Sequence, residues 1–130
     1  MMKHPTVIIL MTLLAIIGIS YQDCLAKPPE YPDNLLVFFT GDDCAPCKRM
    51  ERETFTNPIF HKLLKNHNID FAIVNINDGK MSQKWKISST PTIYFLQYSR
   101  RTCKSKLLVR KNEYLTYQNI SQIIISLYGV

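Results

Sequence analysis

Leu35-Leu36-Val37-Phe38-Phe39 is an unbroken apolar run of β formers, and the lack of polar alternation predicts a central strand buried on both faces. Gly41, Asp42 and Asp43 then turn the chain. From Ala45 the pattern becomes helical, with Pro46 tolerated in the first turn because its missing N–H would have had no partner there. Met50 and Phe55 fall on the inner side of that helix. Asn57-Pro58 is a cap followed by a first-turn residue, and it predicts a second helical segment with Ile59, Phe60, Leu63 and Leu64 as its stripe. Ile69 to Ile76 alternates Phe71, Ile73 or Val74, and Ile76, as a second strand does. Gly79 to Ile87 is expected to be a short helix buried through Met81 and Trp85. Thr92 to Leu96 is the third strand and Leu107 to Val109 the fourth, joined through the polar stretch Gln97 to Lys106. Thr116 or Asn112 caps a last helix carrying Ile120, Ile123, Ile124 and Leu127, which Gly129 closes. The order is βαβαββα, an α/β domain with a mixed central sheet flanked by helices and with Trp85, Tyr94 and Phe95 in its core.

The first 26 residues carry a different pattern. Lys3 and His4 precede an apolar run from Val7 to Ile19, interrupted only by Thr12 and Gly18. That is short for a membrane span, which needs about 20 apolar residues, and suits the core of a signal peptide. Small residues before the break favour cleavage after Ala26; cleavage after Ser20 would keep Cys24, and a retained anchor is the alternative to cleavage. Tyr21, Gln22 and Asp23 are not the residues expected ahead of a lipid-modified cysteine. The expected organisation is therefore a signal peptide at 1–26, a proline-rich linker at 27–34 and one domain at 35–130. A periplasmic or secreted location follows, where disulfide chemistry can operate.

Composition supports a single packed domain: 130 residues, 46% hydrophobic and 11% aromatic. The net charge of +6 is scattered, and only Arg100, Arg101, Lys104, Lys106, Arg110 and Lys111 thicken into a patch. A solvated strand face explains it; an acidic partner is the alternative, and no nucleic-acid partner is expected.

The chemistry lies in Cys44-Ala45-Pro46-Cys47, placed between a buried strand and a helix start. Unpaired N–H groups and the partial positive charge at a helix N-terminus stabilise a thiolate and lower its pKa below the free value of about 8.5. Cys44 is the expected nucleophile. Cys47, one turn on, is the expected resolving thiol that attacks a mixed disulfide at Cys44. Half a zinc site is a rival reading, with Cys103, His61 and His67 as further ligands, but a second CxxC is missing. A purely structural disulfide is another, although a bridge over so short a loop removes little chain entropy. No cofactor or metal is expected. Cys103, on the hairpin, reads as an ordinary thiol, with a third redox cysteine as the alternative. Asn119-Ile120-Ser121 matches a glycosylation acceptor, a motif common by chance.

The strand Leu35 to Phe39, the CAPC motif with Lys48 behind it, and Ser89-Thr90-Pro91-Thr92 entering a strand together resemble the thioredoxin superfamily over nearly all of residues 35–130. Cys47-Lys48 through Glu51, Glu53, Thr54, Phe55 and Pro58 is similar to the C-terminal periplasmic thioredoxin domain of the bacterial transmembrane disulfide-interchange reductase. The resemblance implies a trimmed thioredoxin fold and a redox-active Cys44–Cys47 disulfide. It also implies a cis-proline at Pro91, beside the active-site sulfurs, with the Thr90 backbone pairing with an extended substrate. It further implies a monomer that exchanges disulfides with protein thiols or disulfides, more as reductant or electron carrier than as oxidant, and leaves open a membrane redox partner. A non-catalytic binding module, or a component of a secretion or conjugation apparatus, is the alternative. Three positions depart from the family. Phe38 stands where a buried aspartate helps move the proton of the resolving thiol. Asp43 replaces an aromatic, and its charge should oppose a thiolate while Lys48 favours one. The N-terminal strand and helix of full-length thioredoxin have no counterpart.

Overall fold

The computed structural model describes residues 33–79, 85–99 and 102–129. The expected signal segment, most of the linker, and Met81 with the middle of the expected Gly79–Ile87 helix lie outside them. Four strands form one sheet in the order β2-β1-β3-β4: β1 Asn34–Thr40, β2 Ile69–Asn75, β3 Thr92–Ser99 and β4 Lys104–Lys111. β1 runs parallel to β2 and antiparallel to β3, and β3 and β4 form an antiparallel hairpin, so the sheet is mixed as expected. Among the described residues three α-helices accompany it: α1 Ala45–Met50, α2 Pro58–Asn66 and α3 Tyr117–Tyr128. None of the described helices is long and apolar enough to cross a membrane.

β1 is buried on both faces, as its unbroken apolar run predicts. Leu36 and Phe38 point into a cluster with Met50, Phe55, Phe60, Ile93, Phe95, Ile120 and Ile124; Val37 and Phe39 point into a second, with Tyr94, Leu96 and Trp85. Phe39 meets Trp85 and Tyr94 at 5.9 and 5.1 Å between ring centroids, offset or edge-on geometries that aromatic rings prefer. Only one face of each helix is needed to close the first cluster.

Several boundaries differ from the sequence reading. β3 and β4 extend well beyond the apolar runs Thr92 to Leu96 and Leu107 to Val109, because hairpin pairing carries on through Gln97↔Lys106 and Ser99↔Lys104 whatever the side chains. A register shift at Phe95/Leu96 leaves Leu108 unpaired as a bulge. The first helix does not run as one α-helix to Phe55: Glu51–Phe55 is a π-helical turn, closed by the Thr56 N–H on the Glu51 carbonyl at 3.1 Å. Ile76 leaves the second strand and starts a 3₁₀ turn, Ile76–Asp78. Ile73 is 50% exposed, because β2 is a sheet edge.

Asn57 and Thr116 both act as N-caps. Asn57 Oδ1 accepts from the Ile59 N–H, and Thr116 shares a reciprocal capping box with Asn119. Asn112, the other candidate cap, instead donates to Ser89 Oγ at 3.2 Å.

Half-buried Tyr128 ties the end of α3 to the sheet by donating to the Leu96 carbonyl at 3.1 Å. Burial pushes its phenol from 10 up to about 12. The folded state thus keeps a proton that the unfolded chain begins to lose near pH 10. Tyr128 therefore gives its full stabilisation below pH 10, and loses it as the pH rises towards 12. Denaturant midpoints at pH 8 and 11 should fall less between the two pH values for Tyr128→Phe than for wild type.

Candidate functional site

The end of β1 is where the chemistry gathers. Because β1 and β3 are antiparallel, Phe39 pairs with Thr92, and the segment Ser89-Thr90-Pro91 arrives beside Thr40 and Gly41. Because β1 and β2 are parallel, Thr40 pairs with Asn75, and the turn after β2 arrives on the other side. Gly41 lies in this junction. A Cβ there would sit 3.3 Å from both Asn77 Oδ1 and Thr90 Oγ1, tighter than side chains normally pack.

The turn at Asp42 and Asp43 delivers Cys44 to the N-cap of α1 in an extended conformation. Its Sγ accepts the Cys47 N–H at 3.2 Å, so the sulfur performs the capping role that a serine or aspartate oxygen usually fills. Pro46 occupies the first turn without loss of a hydrogen bond. Cys44 and Cys47 form a disulfide, their Cα atoms 5.2 Å apart. Cys44 retains 5% of its surface and Cys47 none, which makes Cys44 the sulfur that an outside thiol can approach. The Thr90–Pro91 peptide bond is cis, with Pro91 buried and Thr90 half-buried. Cys44, Cys47, Thr90 and Pro91 therefore all sit at one end of the sheet.

Phe38 is fully buried six residues before Cys44, with its ring 4.6 Å from that of Phe55. Hydrocarbon fills the place of the family's acid. Near the turn, Asp42, Lys48 and Glu51 line a shallow cleft of about 310 Å³ with Thr40 and Asn75. A larger groove of about 580 Å³ lies between the end of β4 and α3, bordered by Val109, Tyr114, Ile123 and Leu127. It contains no cysteine, so size and chemistry part company here, and chemistry decides the site.

Cys103, at the turn into β4 with a φ of 54°, is disulfide-bonded, which corrects its reading as an ordinary thiol. Among the described residues no group of His, Cys, Asp or Glu is arranged to hold a metal ion. His61 Nε2 lies 2.6 Å from the Phe55 carbonyl, and His67 ends α2.

Two side-chain networks escaped the sequence reading. On the helix face, Tyr114 donates to Glu53 Oε2 at 2.7 Å while Arg49 pairs with Glu53 Oε1 at 3.0 Å and lies over the Tyr114 ring. These partners hold the Glu53 carboxyl below its usual range, the Tyr114 hydrogen bond first among them. At the turn, Asp42, Asn75 and Asn77 bond to one another. Asn75-Ile76-Asn77-Asp78-Gly79 carries a turn signal in sequence, but nothing there points to a contact 35 residues away.

Residues 25–102 match the model of the thioredoxin-like domain. The chain belongs to that family. A relative by sequence is the putative thioredoxin H10 of Arabidopsis thaliana, 31% identical over 87 residues, which are 65% of this chain and 53% of that protein. The chain thus spans about half the length of this thioredoxin relative. Among solved structures, a thioredoxin from Thermus thermophilus superposes with a TM-score of 0.64 at 18% identity, over 84% of this chain and 85% of that one. Trichomonas vaginalis thioredoxin gives 0.54 at 20% identity, over 82% and 86%. At such identities the likeness establishes the thioredoxin fold, with its mixed four-stranded sheet.

Proposed function

We propose that the protein is a thiol–disulfide oxidoreductase acting on protein thiols or disulfides, with Cys44 attacking and Cys47 resolving. The observation that carries this reading is the disulfide at the helix start, whose outer sulfur already receives the Cys47 N–H. In the reduced protein the Cys44 thiolate attacks a substrate disulfide, forming a mixed disulfide and releasing one substrate thiolate, which takes up a proton. Cys47 then gives up its proton and attacks Cys44 Sγ. The second substrate thiol leaves, two electrons have passed to the substrate, and the Cys44–Cys47 disulfide remains. Thr90 and Pro91 border the groove for the extended substrate.

The direction we assign is reduction, or electron carriage, in the periplasm or an equivalent exported compartment, by a monomeric domain at 35–130 released from or anchored through 1–26. The resemblance to the periplasmic domain of the transmembrane disulfide-interchange reductase supports this and suggests a membrane redox partner. Ala45-Pro46 puts no histidine beside Cys44, and Asp42 and Asp43 place negative charge before it. Both features disfavour the very stable thiolate of a strong oxidant. Insulin reduction tests the activity, and equilibration in glutathione buffer tests the direction. A potential near or below about −230 mV is expected, while one near about −120 mV would overturn the reductant assignment.

A further inference from the structure

The three residues Asp42, Asn75 and Asn77 close a ring in which each donates once and accepts once. The Asn75 amide donates from Nδ2 to Asp42 Oδ1 at 2.8 Å, the Asp42 N–H donates to Asn77 Oδ1 at 2.9 Å, and the Asn77 N–H donates to Asn75 Oδ1 at 2.9 Å. Asn75 is fixed in orientation because both ends of its amide are engaged. One of its bonds is to a carboxylate, and charge-assisted hydrogen bonds are the stronger kind. Through Asp42 the ring grips the turn that leads into Cys44, and Asn77 also flanks Gly41.

We propose that Asn75 is a positioning residue for Cys44, holding the Asp42 carboxylate on the β2 side of the turn and away from the start of α1, while Asn77 steadies the ring through the Asp42 backbone N–H. The proposal rests on the reading of Cys44 as the attacking thiol. Free to rotate, a carboxylate two residues before the N-cap can swing towards the start of α1 and oppose the negative charge of the Cys44 sulfur. Pinned to Asn75, it cannot. The other charged groups near the turn are Asp43 beside it, Lys48 and Glu51 on the helix side of the cleft, and Asp78 after β2; Ser89-Thr90-Pro91-Thr92 brings none.

The test is the pH dependence of iodoacetamide alkylation at Cys44 in the reduced full chain. Asn75→Ala should slow alkylation at neutral pH by roughly threefold, with the profile displaced to higher pH, whereas Asn77→Ala, which keeps its backbone N–H on Asn75 and the Asn75 bond to the carboxylate, should slow it less. Adding Asp42→Ala to Asn75→Ala should restore the rate at least to that of wild type, because the carboxylate that causes the slowing is gone. An Asn75→Ala profile identical to wild type would overturn the proposal, even if the melting temperature falls. So would a double variant as slow as the single one, which would assign the slowing to a distorted turn. Insulin turnover by wild type is measured beside it: its absence would sink the oxidoreductase reading, while the alkylation comparison would still decide the role of the asparagines.

Discussion

Cys47→Ala should stop multiple turnover and leave substrate chains covalently attached to Cys44. Cys47 is fully buried, so in the proposed mechanism it takes the second step, attack on a mixed disulfide already formed at Cys44. Without it, the first step proceeds and the complex waits for an external thiol. Capture of substrates that dithiothreitol releases, seen on non-reducing gels, is the expected result. Cys44→Ala should neither capture nor turn over. The pair of variants also separates exchange from a purely structural bridge, because a structural disulfide would leave no covalent adducts in either variant. Covalent capture by Cys44→Ala through Cys47 would reverse the assignment.

Phe38→Asp should be among the most destabilising single changes in the domain. The substitution restores the family's acid in name, but the surroundings here are built for a ring. Phe38 packs against Phe55 in a cluster that includes Leu36, Met50, Ile93 and Phe95. Removing a buried phenylalanine side chain costs about 3–5 kcal/mol, and an unpaired carboxylate in the same place adds its own desolvation penalty. Against a total stability of about 5–15 kcal/mol, much of the folded population is at stake. The pH dependence has a definite sign. Burial raises the folded-state pKa of the new carboxyl above its unfolded value near 3.9, so the variant fares best at low pH and loses stability as the pH rises through the folded pKa. Denaturant midpoints at pH 4.5 and 7 should therefore differ more for Phe38→Asp than for wild type, whereas Phe38→Leu should show a smaller loss and no added pH dependence. In the mechanism proposed above, the proton leaving Cys47 therefore takes a route that uses no carboxylate at position 38.

The elements that sequence reveals best are those whose signals are local. Leu35 to Phe39 needed no partner to be read as a buried strand, Asn57-Pro58 and Thr116 announced their helices, and the cysteine spacing marked the pair that is bridged. Strand ends were less legible: Gln97, Ser105 and Lys106 are polar, yet pairing in the hairpin holds them in the sheet. Ile73 looks like a core residue until β2 is known to be an edge. The ring around Asp42 was invisible for a related reason. Its bonds depend on parallel pairing of β1 with β2, and asparagines after a strand ordinarily signify only a turn.

The π-helical turn at Glu51–Phe55 bears on how relatives are aligned. A π turn accommodates one more residue than an α turn before the hydrogen bond closes, here from Thr56 back to Glu51. The helix ends with this turn, and within it the neighbours Thr54 and Phe55 are both buried. A relative with an uninterrupted α-helix would bury the same core with one residue fewer between its second cysteine and the proline that opens the next helix. An alignment that forbids a gap there would shift Phe55 out of register with its counterpart, and the loss of the aromatic partner of Phe38 would look like a change of core when it is only a change of count.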